Sequence, residues 1–167
     1  MKHLGALLLF GAALSGCSDS AAPSPGMFRA QLSGARVATL SGPSNAGPTF
    51  AEDFPELQFT IRMFAPLGDT IQALSIRCRG DQPLPSGEYA LDPSGATCIG
   101  RYSRVLSTVE GGTTLLEIMT ASSGRLTIAP SEAGQTVGTF AFSGTLTADA
   151  DSVGVLDVSG AFSAELP

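Results

Sequence analysis

Asp149-Ala150-Asp151 puts two carboxylates one residue apart, a spacing that offers oxygen ligands to a hard cation such as calcium. The stretch has nothing else of a known calcium loop, and an acidic hairpin tip is ordinarily solvated, so Asp149 and Asp151 are a metal candidate and no more. Glu88 and Asp92 form a second carboxylate pair. A glycosidase needs two acids about 5 to 10 Å apart. Fifteen acids make such a pair unsurprising, and the chain has no Trp to stack on a sugar ring. Arg77, Arg79, Arg101 and Arg104 gather around Cys78 and Cys98. Guanidiniums sharing one outer surface suit an anionic glycan or a lipid headgroup. Alternation sends Arg104 to the Cys98 side, and interleaved acids are available to the others, so a solvated face is the simpler expectation. Glu52, Asp53 and Glu56, with Phe50 and Phe54, lie in a long connecting stretch. Such loops meet partners, or their aromatics fold back over a barrel mouth, and the second is favoured here.

The first residues set the address. Lys2 and His3 precede an eleven-residue apolar run, Leu4 to Leu14, which is the layout of a secretory signal. The run is too short to span a bilayer, which takes about 20 apolar residues. Leu14-Ser15-Gly16-Cys17 resembles the lipobox at which bacteria attach diacylglycerol to cysteine and cleave before it. The expected division is a signal peptide over 1–16, a lipidated Cys17 and flexible tether over 17–27, and one domain over 28–167. Acyl chains contribute about 0.8 kcal/mol per buried methylene, so several chains anchor stably. Ser18 rather than an aspartate after the cysteine resembles the sorting pattern for an outer membrane, where the host has two membranes.

Removing the signal also removes chemistry. His3 is the only histidine and Lys2 the only lysine, so the expected mature chain has no imidazole base, no zinc histidine, no Schiff-base lysine and no Ser-Lys dyad. Eight arginines against fifteen acids leave a formal charge of −7, which disfavours nucleic acid as a partner. No cofactor motif is present. Cys78 and Cys98 are an even pair in an exported domain, expected as a disulfide rather than as two buried thiols. The bond closes a loop of about twenty residues and contributes about 3 kcal/mol in the chain-entropy model.

The elements that hold these residues read as strands. Phe28, Ala30 and Leu32 alternate with polar residues; so do Phe59, Ile61 and Met63; and so do Leu74, Ile76 and Cys78. A further strand carries Cys98 and Tyr102 on one face. The span from Gly42 to Pro55 reads as irregular loop. Thr113 to Thr120 reads as a strand turning at Ser122-Ser123-Gly124 into Leu126 and Ile128, with a short helix over Thr113 to Thr120 as the alternative. Phe140, Phe142 and Leu146 face Leu156, Val158 and Phe162 across a turn at Asp149 to Ser152. The expected fold is all-β, an antiparallel meander of nine or ten strands forming a β-sandwich or an up-and-down barrel. Four apolar-Ser-Gly tripeptides, ending at Gly34, Gly42, Gly144 and Gly160, mark bends or close backbone approach rather than a repeat architecture.

Phe-x-Ala-x-Leu-x-Gly at Phe28 to Gly34, Gly-x-Tyr-x-Leu at Gly87 to Leu91, Gly-x-Leu-Thr-Ile at Gly124 to Ile128 and Gly-Thr-Phe-x-Phe-Ser-Gly at Gly138 to Gly144 occur in that order, before a terminal Ser-Gly-x-Phe. Together they resemble uncharacterised β-rich bacterial lipoproteins. The resemblance implies a β fold and an envelope location, with no activity and no site residues. Two functions follow as expectations. The first is a non-enzymatic structural or protein-interaction module that meets another envelope protein. The second is a binding module whose barrel or sandwich end holds a small apolar or amphiphilic ligand. Bulky inward residues favour the first, because they fill a small barrel. A carboxylate-dependent hydrolase comes a distant third.

Overall fold

The computed structural model describes residues 22–51, 54–94, 97–107, 112–132 and 134–167. Their ten strands are β1 (Met27–Gly34), β2 (Ala38–Ala51), β3 (Phe54–Leu67), β4 (Thr70–Arg79), β5 (Gly87–Ala90), β6 (Cys98–Ser107), β7 (Thr113–Thr120), β8 (Ser123–Ala129), β9 (Gln135–Ala148) and β10 (Asp151–Glu165). Every ladder longer than a single bridge is antiparallel. The order β1-β2-β3-β4-β6-β7-β9-β10 returns to β1, so the sheet closes on itself. The fold is therefore an eight-stranded up-and-down barrel and not a sandwich. Closure leaves no long free edge for another chain to extend.

Ten strands give eight ring positions because two positions are each shared. β7 pairs with β9 through Glu117↔Ala148 and Ile118↔Thr147, and β8 continues along the same edge from Ser123↔Ser143 to Ala129↔Val137. The turn expected at Ser122-Ser123-Gly124 is thus a slip of register within one long strand, and Thr113–Thr120 is strand, not helix. Polar and small residues there resemble a chain reversal, whereas Ser122 N donates to Ser143 O at 2.8 Å and keeps the chain on β9. β5 lies along β8, with Leu91 N donating to Gly124 O at 3.0 Å, and β6 continues along β7 after the 92–97 excursion.

The second departure is β2. The stretch expected as loop from Gly42 onward is strand through Ala51. Its buried positions after Leu40, namely Gly42, Ser44 and Ala46, alternate correctly but are small, so they carry little hydrophobic signal. At Gly42 a Cβ would press into the Phe64 carbonyl of β3, so only glycine permits that approach.

Eight strands leave an interior just wide enough for side chains. Here large residues face small ones across the β9–β10 ladder: Phe162 opposite Gly138, Leu156 opposite Gly144, Phe140 opposite Gly160. The rings of Phe140 and Phe162 stack at 6.3 Å. Phe28, Phe59, Ile61, Met63, Leu74, Ile76, Tyr102, Met119 and Leu146 join them in one buried cluster. Cys78 and Cys98, directly opposed in the β4–β6 ladder, are disulfide-bonded and buried, as the alternation requires.

Antiparallel order gathers the connections after β1, β3, β6 and β9 at one end, called the mouth below. The β9–β10 connection is a two-residue turn with Asp149 at φ 50° and Ala150 at φ 70°, both left-handed. At the opposite end the described chain continues before Met27. Met27 N donates to Ser24 O at 3.0 Å, and Gly26 O accepts from Ser44 N at 2.7 Å, so part of the segment read as tether is tied to the barrel.

Candidate functional site

Inward-facing polar residues cluster at the mouth. Gln72 on β4, Arg104 on β6 and Glu117 on β7 occupy one row by register, and Tyr102 lies one row deeper beside Leu74 and Met119. The β1–β2 connection adds Arg36, which reaches Glu117 on β7. Its Nε donates to Glu117 Oε2 at 2.7 Å, and its Nη2 donates to Oε1 in a bidentate fork. Arg104 Nη2 stands 3.4 Å from the same Oε1. Glu117 is 4% exposed, so its charge depends on these two cations rather than on water. Arg104 Nε is buried without a partner among the described residues.

Tyr102 is fully buried and donates to Gln72 Oε1 at 3.0 Å. Burial raises its pKa above the usual tyrosine value, and the positive fields of Arg36 and Arg104 oppose that rise in part. A neutral phenol is therefore the resident form. The cluster holds one carboxylate saturated by two guanidiniums and a phenol that keeps its proton. Neither is a free base or an activated nucleophile. What the arrangement does is mechanical: Arg36 straps the β1–β2 connection across the mouth onto β7. Sequence reasoning placed Arg104 inward but missed Arg36, Gln72 and Glu117. The period-2 phase of Glu117 with Met119 was the available signal, obscured by the helix alternative for that segment.

The remaining candidates separate. Arg77, Arg79 and Arg101 take outward phase on β4 and β6, while Arg104 points inward as alternation required, so the four do not share a surface. Arg62 on β3 joins the outward set, standing beside Ser75, which in turn stands beside Arg101. Glu88 pairs with the exposed Arg125 at 3.4 Å, and Asp92 Oδ1 accepts from Ser94 N at 2.9 Å, so these two carboxylates serve separate local contacts. Asp149 lies within an exposed turn and Asp151 follows it. Among the described residues no group of three or more His, Cys, Asp or Glu side chains is placed to hold a metal. Cys17, Glu52 and Asp53, and the side chains of Phe50, Phe54 and Glu56, lie outside the described part.

Recesses mark the outer wall among the described residues. One of 570 Å³ runs along β8 and β9 beside Arg125, Thr127 and Thr139. One of 250 Å³ lies where Ala22 and Pro23 rest near Ala129, Val137 and Ala161. Exposed large apolar residues concentrate at the other end: Val37, Leu67, Leu115, Val153 and Val155 all lie at or next to the mouth, with only Met27 remote from it among the described residues.

No family model, curated protein or solved structure matches this chain. The geometry alone therefore carries the functional argument.

Proposed function

We propose that the chain is a non-enzymatic interaction module of the cell envelope, tethered by lipid on Cys17 and acting through the outside of its barrel. The observation that supports this reading is the occupied interior. Phe28, Phe59, Phe140, Phe142 and Phe162 lie along the inside of a ring that has room for side chains and little else. The polar groups nearest the mouth are committed to one another through Glu117. An interior ligand would have to displace that packing, and interiors packed to native density resist such insertion. The Cys78–Cys98 bond accords with an oxidising compartment outside the cytoplasm. The outer surface, by contrast, has exposed apolar residues around the mouth and an arginine-bearing wall on β3, β4 and β6.

Native mass spectrometry of residues 18–167, purified from the oxidising compartment of the host, tests the reading. The expected result is the bare chain mass before and after denaturation. A small molecule that stays through native ionisation and leaves on denaturation sinks it, in favour of a ligand-carrying barrel.

A further inference from the structure

From Leu57 on, the outward wall of β3, β4, β6 and β7 has a charge opposite to that of the whole chain. Register sets Arg62, Ser75, Arg101 and Thr120 in one row across the four strands, and Arg77 stands one row away beside Thr60. Arg62 and Arg101 flank Ser75 with backbones about 10 Å apart, two inter-strand spacings. Both are half-buried, and neither makes an ion pair with a described residue. From Leu57 to Leu67 and along β4, β6 and β7 the only carboxylate is Glu117, which faces inward. In a chain of formal charge −6, these stretches of the wall have no outward carboxylate and are studded with guanidiniums.

The two rows toward the mouth are apolar but for one serine. The first carries Phe64, Ala73, Ser103 and Ile118, and the second carries Pro66, Ile71, Val105 and Leu115, of which Leu115 is 52% exposed. Arginines beside an apolar band are what a bilayer interface selects: guanidiniums fork onto phosphates while apolar side chains enter the headgroup boundary. An acidic polymer in water would use the arginines and leave the apolar band without a role.

We propose that this wall docks on an anionic phospholipid bilayer, with Arg62 and Arg101 on headgroup phosphates and Phe64, Ile118 and Leu115 in the interfacial layer. The proposal rests on the reading that the barrel works through its outside. The rest of the surface, being acidic, is repelled by such a bilayer, so the field itself selects the orientation.

Flotation of residues 18–167, which include the whole closed barrel, with vesicles tests it. Binding is expected to phosphatidylglycerol-rich vesicles and not to phosphatidylcholine vesicles, and it weakens as salt rises. Arg62→Gln with Arg101→Gln weakens binding about 25-fold, roughly fivefold per arginine. Arg62→Lys with Arg101→Lys retains most of it, and Arg29→Gln with Arg125→Gln, on other walls, changes nothing. All of these positions point outward, so unchanged thermal unfolding verifies the fold of each variant. No binding to anionic vesicles, equal binding to both vesicle types, or binding indifferent to the Arg62 and Arg101 changes overturns the proposal. A ligand found by native mass spectrometry would instead overturn the underlying reading, whatever the vesicles show.

Discussion

Glu117→Gln keeps the shape of the side chain and deletes the negative charge that two guanidiniums share. The three partners are unequally placed: Glu117 is 4% exposed, Arg104 28% and Arg36 40%. Arg36 can swing into water once released. Arg104, threaded inward from β6 with Nε already buried and unpaired, cannot. Removing one partner of a fully buried pair costs about 3–5 kcal/mol. Exposed pairs are worth about 0–1 kcal/mol. Glu117→Gln falls between, at about 2–3 kcal/mol, because one stranded charge stays buried and the other escapes. Arg36→Ala, which leaves Glu117 its contact with Arg104, costs about 1 kcal/mol. Replacing Glu117 and Arg104 together by Leu and Met returns most of the loss, because no charge is then left stranded. In urea, with a slope of about 2 kcal/mol/M for a domain of this size, Glu117→Gln lowers the midpoint by about 1–1.5 M. A shift under about 0.3 M, or one no larger than that of Arg36→Ala, refutes the account of the mouth as a buried, strapped network.

Three further outcomes follow from particular residues. Ala150→Gly relieves a left-handed alanine at φ 70° and raises stability by about 0.5–1 kcal/mol, seen as a higher melting temperature; a lower one contradicts the turn geometry. Burial holds the Tyr102 phenol above 10.0 despite Arg36 and Arg104. The folded state then keeps a proton that the unfolded state loses, so stability falls as pH climbs past 10.0 and levels off once the folded phenol ionises. Tyr102→Phe removes that contribution, which urea midpoints across the alkaline range measure. Phe162→Ala, at a fully buried position opposite Gly138, costs about 3–5 kcal/mol by opening a cavity, and a loss under about 1 kcal/mol in urea unfolding would mean that the interior is not filled as described.

Local alternation made much of the barrel legible. Phe28, Ala30 and Leu32, or Leu74, Ile76 and Cys78, announce a buried face because large apolar residues recur at period two. Register then brings Cys78 opposite Cys98. β2 stayed hidden because its inward positions are Gly42, Ser44 and Ala46, which fill little space beneath large neighbours and read as loop. The choice of barrel over sandwich depends on whether β1 meets β10, a contact between chain ends that no local pattern encodes. The mouth network was unreadable for the same reason: Arg36 and Glu117 are 81 residues apart in sequence and meet only after closure. Arg62 was missed as a companion of Arg101 because their proximity passes through Ser75 on the strand between them.

The address and the fold converge in one mass. The chain isolated from the envelope of its host and measured intact under denaturing, non-reducing conditions is predicted to begin at Cys17. It should exceed its sequence mass by the acyl chains on that residue and fall about 2 Da short of the reduced form for the Cys78–Cys98 bond. A chain that begins elsewhere, or that has no acyl mass on Cys17, contradicts the account of a lipid-tethered envelope module.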